Sequence, residues 1–133
     1  MATPRLLIDT SIIIEHLRKQ NKQKSILYNI ASNYELYTST IVEFELYIGT
    51  TDSQKRRDVQ EILAWCTVLP LTSDIAQTAA TIYQQLKAKN QLIEIRDILI
   101  AATGLVDDLP LMTLNTKHFT RISALQLLSP PQI

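Results

Sequence analysis

Four side chains carry oxygen atoms from which this sequence could assemble a reactive centre. They are Asp9 in "RLLIDTSIII", Glu45 in "TIVEFELYIG", Asp97 in "EIRDILIAATGL" and Asn115 in "LPLMTLNTKHF". Asp9 directly follows Leu6, Leu7 and Ile8, which read as a strand buried on both faces. A carboxylate placed there must be solvated, paired, used as a helix cap or bound to a metal. With Thr40 as N-cap, Glu43 falls at the capping-box position and has a structural explanation. Glu45 does not, because at about 100° per residue it lies between Ile41 and Val42, near Ile48, on the apolar face. It is either paired there with one of the arginines or used as a ligand. Asp97 opens a helix, where a plain first-turn acid is one reading. Ala101 and Gly104 follow on its stripe, however, and small residues there let the helix approach the sheet closely. Asn115 stands with Thr113 and Thr116 at the carboxyl end of a strand. Three carboxylates at one edge repel one another unless a cation neutralises them. An all-oxygen donor set without His or Cys favours Mg²⁺ or Mn²⁺ over zinc. Such an ion keeps waters, one of which can attack a phosphodiester, so the chemistry indicated is phosphoryl transfer.

The elements that must position these groups alternate between apolar strand-like runs and helical patterns. Strands are expected at residues 6–9, 35–39, 67–71, 109–114 and 125–128. The intervals are long enough for crossover helices, which predicts an α/β fold, a three-layer α/β/α sandwich around a mostly parallel five-stranded sheet. "TSDIAQTAATIYQQLKAKN" is the clearest helix, opening on a Thr-Ser-Asp cap and closing on lysines. Two helices fit between the first and second strands and two between the second and third. Ligands of such sheets sit beyond the carboxyl ends of the strands where the strand order reverses. Asp9 lies at such an end. Asp107 and Asp108 precede the fourth strand and belong to the opposite rim as turn residues. His118 reads as a helix-start or packing residue, and Trp65 and Cys66 as packing residues.

Composition narrows the classes. The 133 residues form one expected domain, 46% apolar and 20% charged, as in ordinary globular proteins. Lys plus Arg equals Asp plus Glu, 13 against 13, which argues against a protein that coats nucleic acid but not against one that cuts it. The single cysteine, Cys66, has no partner for an internal disulfide and no companion for a zinc site. Neither a signal peptide nor an apolar run near 18 residues is visible, so a cytoplasmic protein without membrane contact is expected. Two basic clusters, "LRKQNKQK" and "DSQKRRDVQEIL", read as solvated helix surfaces. Arg18, Lys19, Lys22 and Lys24 nevertheless follow the Asp9 helix and could guide an RNA strand. The three isoleucines of "SIIIEHLRK" sweep a wide arc, part core and part groove for a partner.

Together "LLIDTSIII", "TIVEFELYIG", "RDILIAATGL" and "LMTLNTKHFTRI" resemble a PIN domain of the VapC toxin type, in the expected order over nearly the whole chain. The resemblance implies a sheet in order 3-2-1-4-5 and an endoribonuclease dependent on Mg²⁺ or Mn²⁺ that leaves a 5′-phosphate. It also implies the toxin role in a type II toxin–antitoxin pair, inhibition by a cognate antitoxin, and a homodimer. By position it makes Asp9, Glu45 and Asp97 the first, second and third acids and metal ligands. Asn115 stands where many members have a fourth Asp, which supplies an oxygen without charge and predicts one tightly held ion. Ser11 replaces a frequent Asn, and its hydroxyl, with that of Thr113, is a candidate to orient the carboxylates. The same hydroxyls also serve as ordinary strand-end hydrogen bonders. Two other classes compete. A haloacid-dehalogenase-type phosphohydrolase needs a second Asp where Ser11 stands. A non-catalytic PIN-like module for RNA binding or protein interaction is kept open by Asn115.

Overall fold

The computed structural model describes residues 2–132. Its centre is β1 (Arg5–Ile8), whose Leu6, Leu7 and Ile8 have no solvent exposure. An uninterrupted apolar run suits a strand covered by helices on both faces. The chain then forms α1 (Thr10–Arg18), a 3₁₀ turn at Lys22–Lys24 and α2 (Ile26–Ile30) before β2 (Glu35–Ser39). Next come α3 (Thr40–Ile48), α4 (Ser53–Leu63) and β3 (Thr67–Leu69). The remainder is α5 (Ser73–Ala88), α6 (Ile95–Val106), β4 (Leu111–Met112), α7 (Thr116–Phe119) and β5 (Leu127–Leu128).

All four strand pairings are parallel and the sheet order is β3-β2-β1-β4-β5. Leu6 is in register with Leu36 of β2, and Ile8 with Met112 of β4. The chain winds outward one way through β2 and β3, then returns past β1 to wind the other way. The order therefore reverses at β1, and the crevice beyond its carboxyl end is the site such a sheet offers.

The strands are shorter than their apolar runs. Pro70 has no amide to donate, so β3 stops at Leu69, and Leu71 is exposed. Pro110 likewise accepts from the Leu7 amide (2.9 Å) without donating, and the Leu109 amide turns back to the Gly104 carbonyl (2.8 Å). Only Leu111 and Met112 remain as ladder residues of β4. At the last strand, Leu125 closes a turn onto Ile122, which leaves Leu127 and Leu128. At the first, Asp9 leaves the ladder to cap α1.

Two helices set the position of the acids. α6 packs flat because Gly104 has no side chain; a Cβ there would meet the Leu109 carbonyl oxygen at 3.1 Å and Leu125 Cδ1 at 3.2 Å. Ala101 and Ala102 are fully buried on the same helix. On α3 the N-cap is Ser39, not Thr40, and its Oγ accepts from the Val42 amide (3.2 Å). Glu43 therefore sits one residue past the capping-box position. The core stripe of α3 is Val42 and Leu46, while Ile48 and Phe44 are exposed. Glu45 lies half-buried at the seam beside that stripe and not within it. Asp107 and Asp108 form the expected turn; Asp108 takes a left-handed φ of 54°, and the Asp107 carbonyl accepts from Arg5 (3.4 Å) at the amino end of β1.

Candidate active site

The crevice beyond β1 and β4 is a cleft of about 720 Å³ lined by Asp9, Thr10, Ser11, Glu45, Arg96 and Asn115, among others. Asp9 is its most buried acid, 1% exposed. One oxygen, Oδ1, accepts from the Ser11 amide (3.0 Å) and the Ser11 hydroxyl (2.5 Å). The other, Oδ2, accepts from the Thr113 hydroxyl (2.7 Å). These hydroxyls are themselves held by the loop after β4, since Ser11 Oγ accepts from the Leu114 amide (2.9 Å) and Thr113 Oγ1 from the Asn115 amide (3.0 Å). Ser11 and Thr113 thus lock the carboxylate between the ends of two adjacent strands. Burial pushes the Asp9 carboxyl above its usual range, against the Ser11 and Thr113 hydrogen bonds and the nearby Arg96 charge, which pull it down.

Asp97 stands in the first turn of α6, whose N-cap, Glu94, makes no side-chain cap. Its carboxylate is 6% exposed and accepts from Arg96 Nη1 at Oδ1 and from His118 Nδ1 (3.1 Å) at Oδ2. His118 stands in the first turn of α7, as the helix-start reading expects, but its ring meets Asp97 and is not packed in the core. It projects from α7 onto Asp97 with its ring two-fifths exposed.

Glu45 meets a guanidinium. Arg96 Nε donates to Oε2 and Nη2 to Oε1, both at 2.6 Å, and the Thr10 hydroxyl donates to Oε1 (2.7 Å). Burial raises the Glu45 carboxyl, but the Arg96 and Thr10 hydrogen bonds and the Arg96 charge outweigh it and leave the group below its usual range. Of the two accounts the sequence left open for Glu45, the arginine pair is present. Arg96 and Thr10 were not among the sequence candidates. The available signal was an arginine next to Asp97 in "EIRD" and a core-facing glutamate in need of one.

Asn115, the N-cap of α7, makes no side-chain cap bond and lines the cleft from the β4 side. Arg18 and Lys19 line its outer wall, Lys19 within 3.5 Å of Glu15. Lys22 is elsewhere: its ammonium caps the end of α1 on the carbonyls of His16 (2.9 Å) and Leu17 (2.6 Å). Lys24 borders a separate depression with Ile26 and Pro131. Lys22 and Lys24 therefore do not line this cleft.

Among the described residues no three His, Cys, Asp or Glu side chains form a ready metal cage. Glu45 and Asp97 meet on Arg96 instead of on each other, while Asp9 is held by Ser11 and Thr113, so the tight acid cluster expected is not formed. Their donor chemistry still fits a hard divalent ion. A carboxylate offers about four lone-pair positions. Asp9 and Glu45 each receive three hydrogen bonds and Asp97 receives two, so each retains acceptor capacity. Every donor is oxygen, as Mg²⁺ and Mn²⁺ prefer.

A doubly wound parallel sheet with Asp9 and Glu45 lining the cleft at its switch point, and Asp97 linked to Glu45 through Arg96, defines an α/β protein with an acidic candidate site. A sequence model of the PIN domain matches residues 6–125, and this chain belongs to the PIN-domain family. It is 36% identical over 134 residues to Ribonuclease VapC of Rickettsia bellii, covering 95% of this chain and 96% of that one. The fold is similar to VapBC-1 from nontypeable Haemophilus influenzae, with TM-score 0.80, 28% identity and 93% and 96% of the two chains covered. It is also similar to a toxin–antitoxin complex from Klebsiella pneumoniae, with TM-score 0.76, 22% identity and 96% and 99% covered.

Proposed function

We propose that this chain, acting as a single nuclease domain, is a metal-dependent endoribonuclease and the toxin of a type II toxin–antitoxin pair. The observation that carries the reading is that Asp9, just after β1, and Glu45 of α3 line one cleft at the switch point of the sheet, with Arg96 of α6 linking Glu45 to the buried Asp97 beside it. Asp9, Asp97 and Glu45 would hold the ion, with Asn115 offering an uncharged oxygen from the opposite side. A bound Mg²⁺ or Mn²⁺ supplies charge to the phosphate and an activated water for its attack. Ser11 and Thr113 fix Asp9 in orientation, His118 fixes Asp97, and Thr10 fixes Glu45. Arg18 and Lys19 on the outer wall offer charge to an RNA backbone.

The VapC relatives support the substrate class, and the VapBC likeness supports a cognate antitoxin. The exposed Phe44, Ile48 and Ile95 suit burial in a homodimer. No helix among the described residues is long and apolar enough to cross a membrane.

A second reading, a PIN-like module without activity, is favoured by the Arg96 pairs with Glu45 and Asp97. One experiment separates the two. Purified protein is incubated with single-stranded and structured RNA in Mg²⁺, in Mn²⁺ and in chelator. Cutting that needs the ion and is lost in Asp9→Asn establishes the nuclease; equal cutting by that variant refutes the site. No cutting of any RNA selects the binding module. Growth arrest on expression without a partner, absent for Asp9→Asn, tests the toxin role.

A further inference from the structure

Arg96 makes contacts on three sides of the acid cluster. Its Nε and Nη2 grip both oxygens of Glu45 at 2.6 Å, Nη1 donates to Asp97, and Nη2 reaches Thr10 Oγ1 at 3.3 Å. The side chain is only 26% exposed, so the fork is held by the fold and not loosely draped over a surface. A planar guanidinium bound bidentately claims specific lone pairs and cannot share them with an ion. Arg96 is one positive charge against as many as three carboxylates, Asp9, Glu45 and Asp97.

We infer that Arg96 is a positioning residue that serves as the cluster's own cation, competing with a divalent ion for the oxygens of Glu45 and Asp97. The inference rests on the metal-dependent reading above. It explains how Glu45 and Asp97, on separate helices, stay together without an ion, and it sets a threshold for loading. With Arg96 in place, the lone pairs that it holds on Glu45 and Asp97 are closed to an ion, and the observed ion affinity is reduced by the fraction of protein in the open form.

The test is calorimetric titration of Mn²⁺ into metal-stripped wild type, Arg96→Lys and Arg96→Gln, with melting temperatures taken before and after. Arg96→Gln is expected to bind Mn²⁺ about tenfold more tightly, and Arg96→Lys to fall between, because an ammonium keeps the charge but loses the fork. Without metal, Arg96→Gln is expected to melt below wild type, and Mn²⁺ to close the gap. Equal or weaker affinity in both variants overturns the inference. So does an Arg96→Lys that matches wild type, which would assign the effect to charge alone. If Arg96→Gln does not fold, Arg96→Lys decides by the same criterion. Absence of binding by all three proteins defeats the metal reading and this inference with it, whereas equal binding by all three defeats only the role of Arg96.

Discussion

Asp9 carries charge into a place where burial opposes it, and Glu45 carries charge into one where a guanidinium welcomes it. Stability should record the difference. For Asp9 the folded carboxyl is raised above its ordinary value of 3.8. Its ionised form is therefore less favourable in the fold than in the unfolded chain, a cost present above the folded value and relieved as pH falls through it. Asp9→Asn removes that cost, so the metal-free variant should melt at or above wild type at neutral pH while losing all cleavage; a variant that unfolds would mean the charge is structural. Glu45 is lowered from 4.5, so its contribution is present above that value and lost as pH falls through the folded one. Glu45→Gln should then cost about 1 kcal/mol in metal-free urea unfolding, a modest figure because the pair is partly exposed, and should lower activity strongly. Glu43→Gln should change stability by less than about 0.5 kcal/mol and leave activity intact, since Ser39 and not Glu43 completes the cap of α3. Asp9 and Glu45 were legible in the sequence because each lay where its surroundings did not explain it, whereas Asp97 also read as a plain first-turn acid and was marked by the small residues of its stripe. Arg96 was not, because a helix-terminal arginine is ordinary until its partner on another helix is known.

At the scale of elements, α6 and α3 position the acids, and the α1–α2 corner holds the end of the Asp9 helix. Gly104 sets the distance of α6 from the sheet, and the Leu109 carbonyl it faces is pinned between the Gly104–Leu109 amide bond and Pro110. In Gly104→Ala the gain in helix propensity, about 1 kcal/mol, competes with overpacking of about 1–3 kcal/mol against a backbone that cannot yield. The expected net result is a loss of stability on denaturant unfolding and a fall in activity as Asp97 shifts; an unchanged or raised midpoint would show that the contact relaxes. The α1–α2 corner is tied by His16, 4% exposed, whose Nδ1 lies 2.6 Å from the hydroxyl of Ser25, the N-cap of α2. Burial lowers the His16 imidazole below its ordinary 6.5, helped by the charge of Lys22. The unfolded chain then binds a proton that the fold refuses, so stability falls as pH drops below 6.5 and levels off below the folded value. Melting temperatures between about pH 7.5 and 5.5 should slope downward in wild type and less so in His16→Gln. Equal slopes would assign the titration to another group. The parallel layering was legible because β1 is apolar throughout and the intervals are helix-length. The strand ends were not, because Pro70 and Pro110 end the ladders inside runs that remain apolar.

For the whole molecule the decisive quantity is the balance of 13 basic against 13 acidic residues. A neutral protein has no long-range field to draw in RNA, so attraction must come from the few cations at the cleft. The sequence suggested four, Arg18, Lys19, Lys22 and Lys24, by their nearness in the chain to Asp9. Folding separates them, since α1 ends at Arg18 and the following turn carries Lys22 back to cap that end. Two remain on the cleft wall, Arg18 and Lys19. Each phosphate neutralised on a single strand contributes a slope of about −0.7 in log affinity against log salt, so two contacts predict about −1.4. Measured as kcat/KM on a single-stranded RNA over a range of KCl, wild type should show this shallow slope. The double variant Arg18→Ala, Lys19→Ala should flatten it by raising KM, with kcat nearly unchanged because neither side chain contacts the acids. A wild-type slope steeper than about −3 would require more phosphate contacts than this cleft supplies and would place the RNA on another face or on a second subunit.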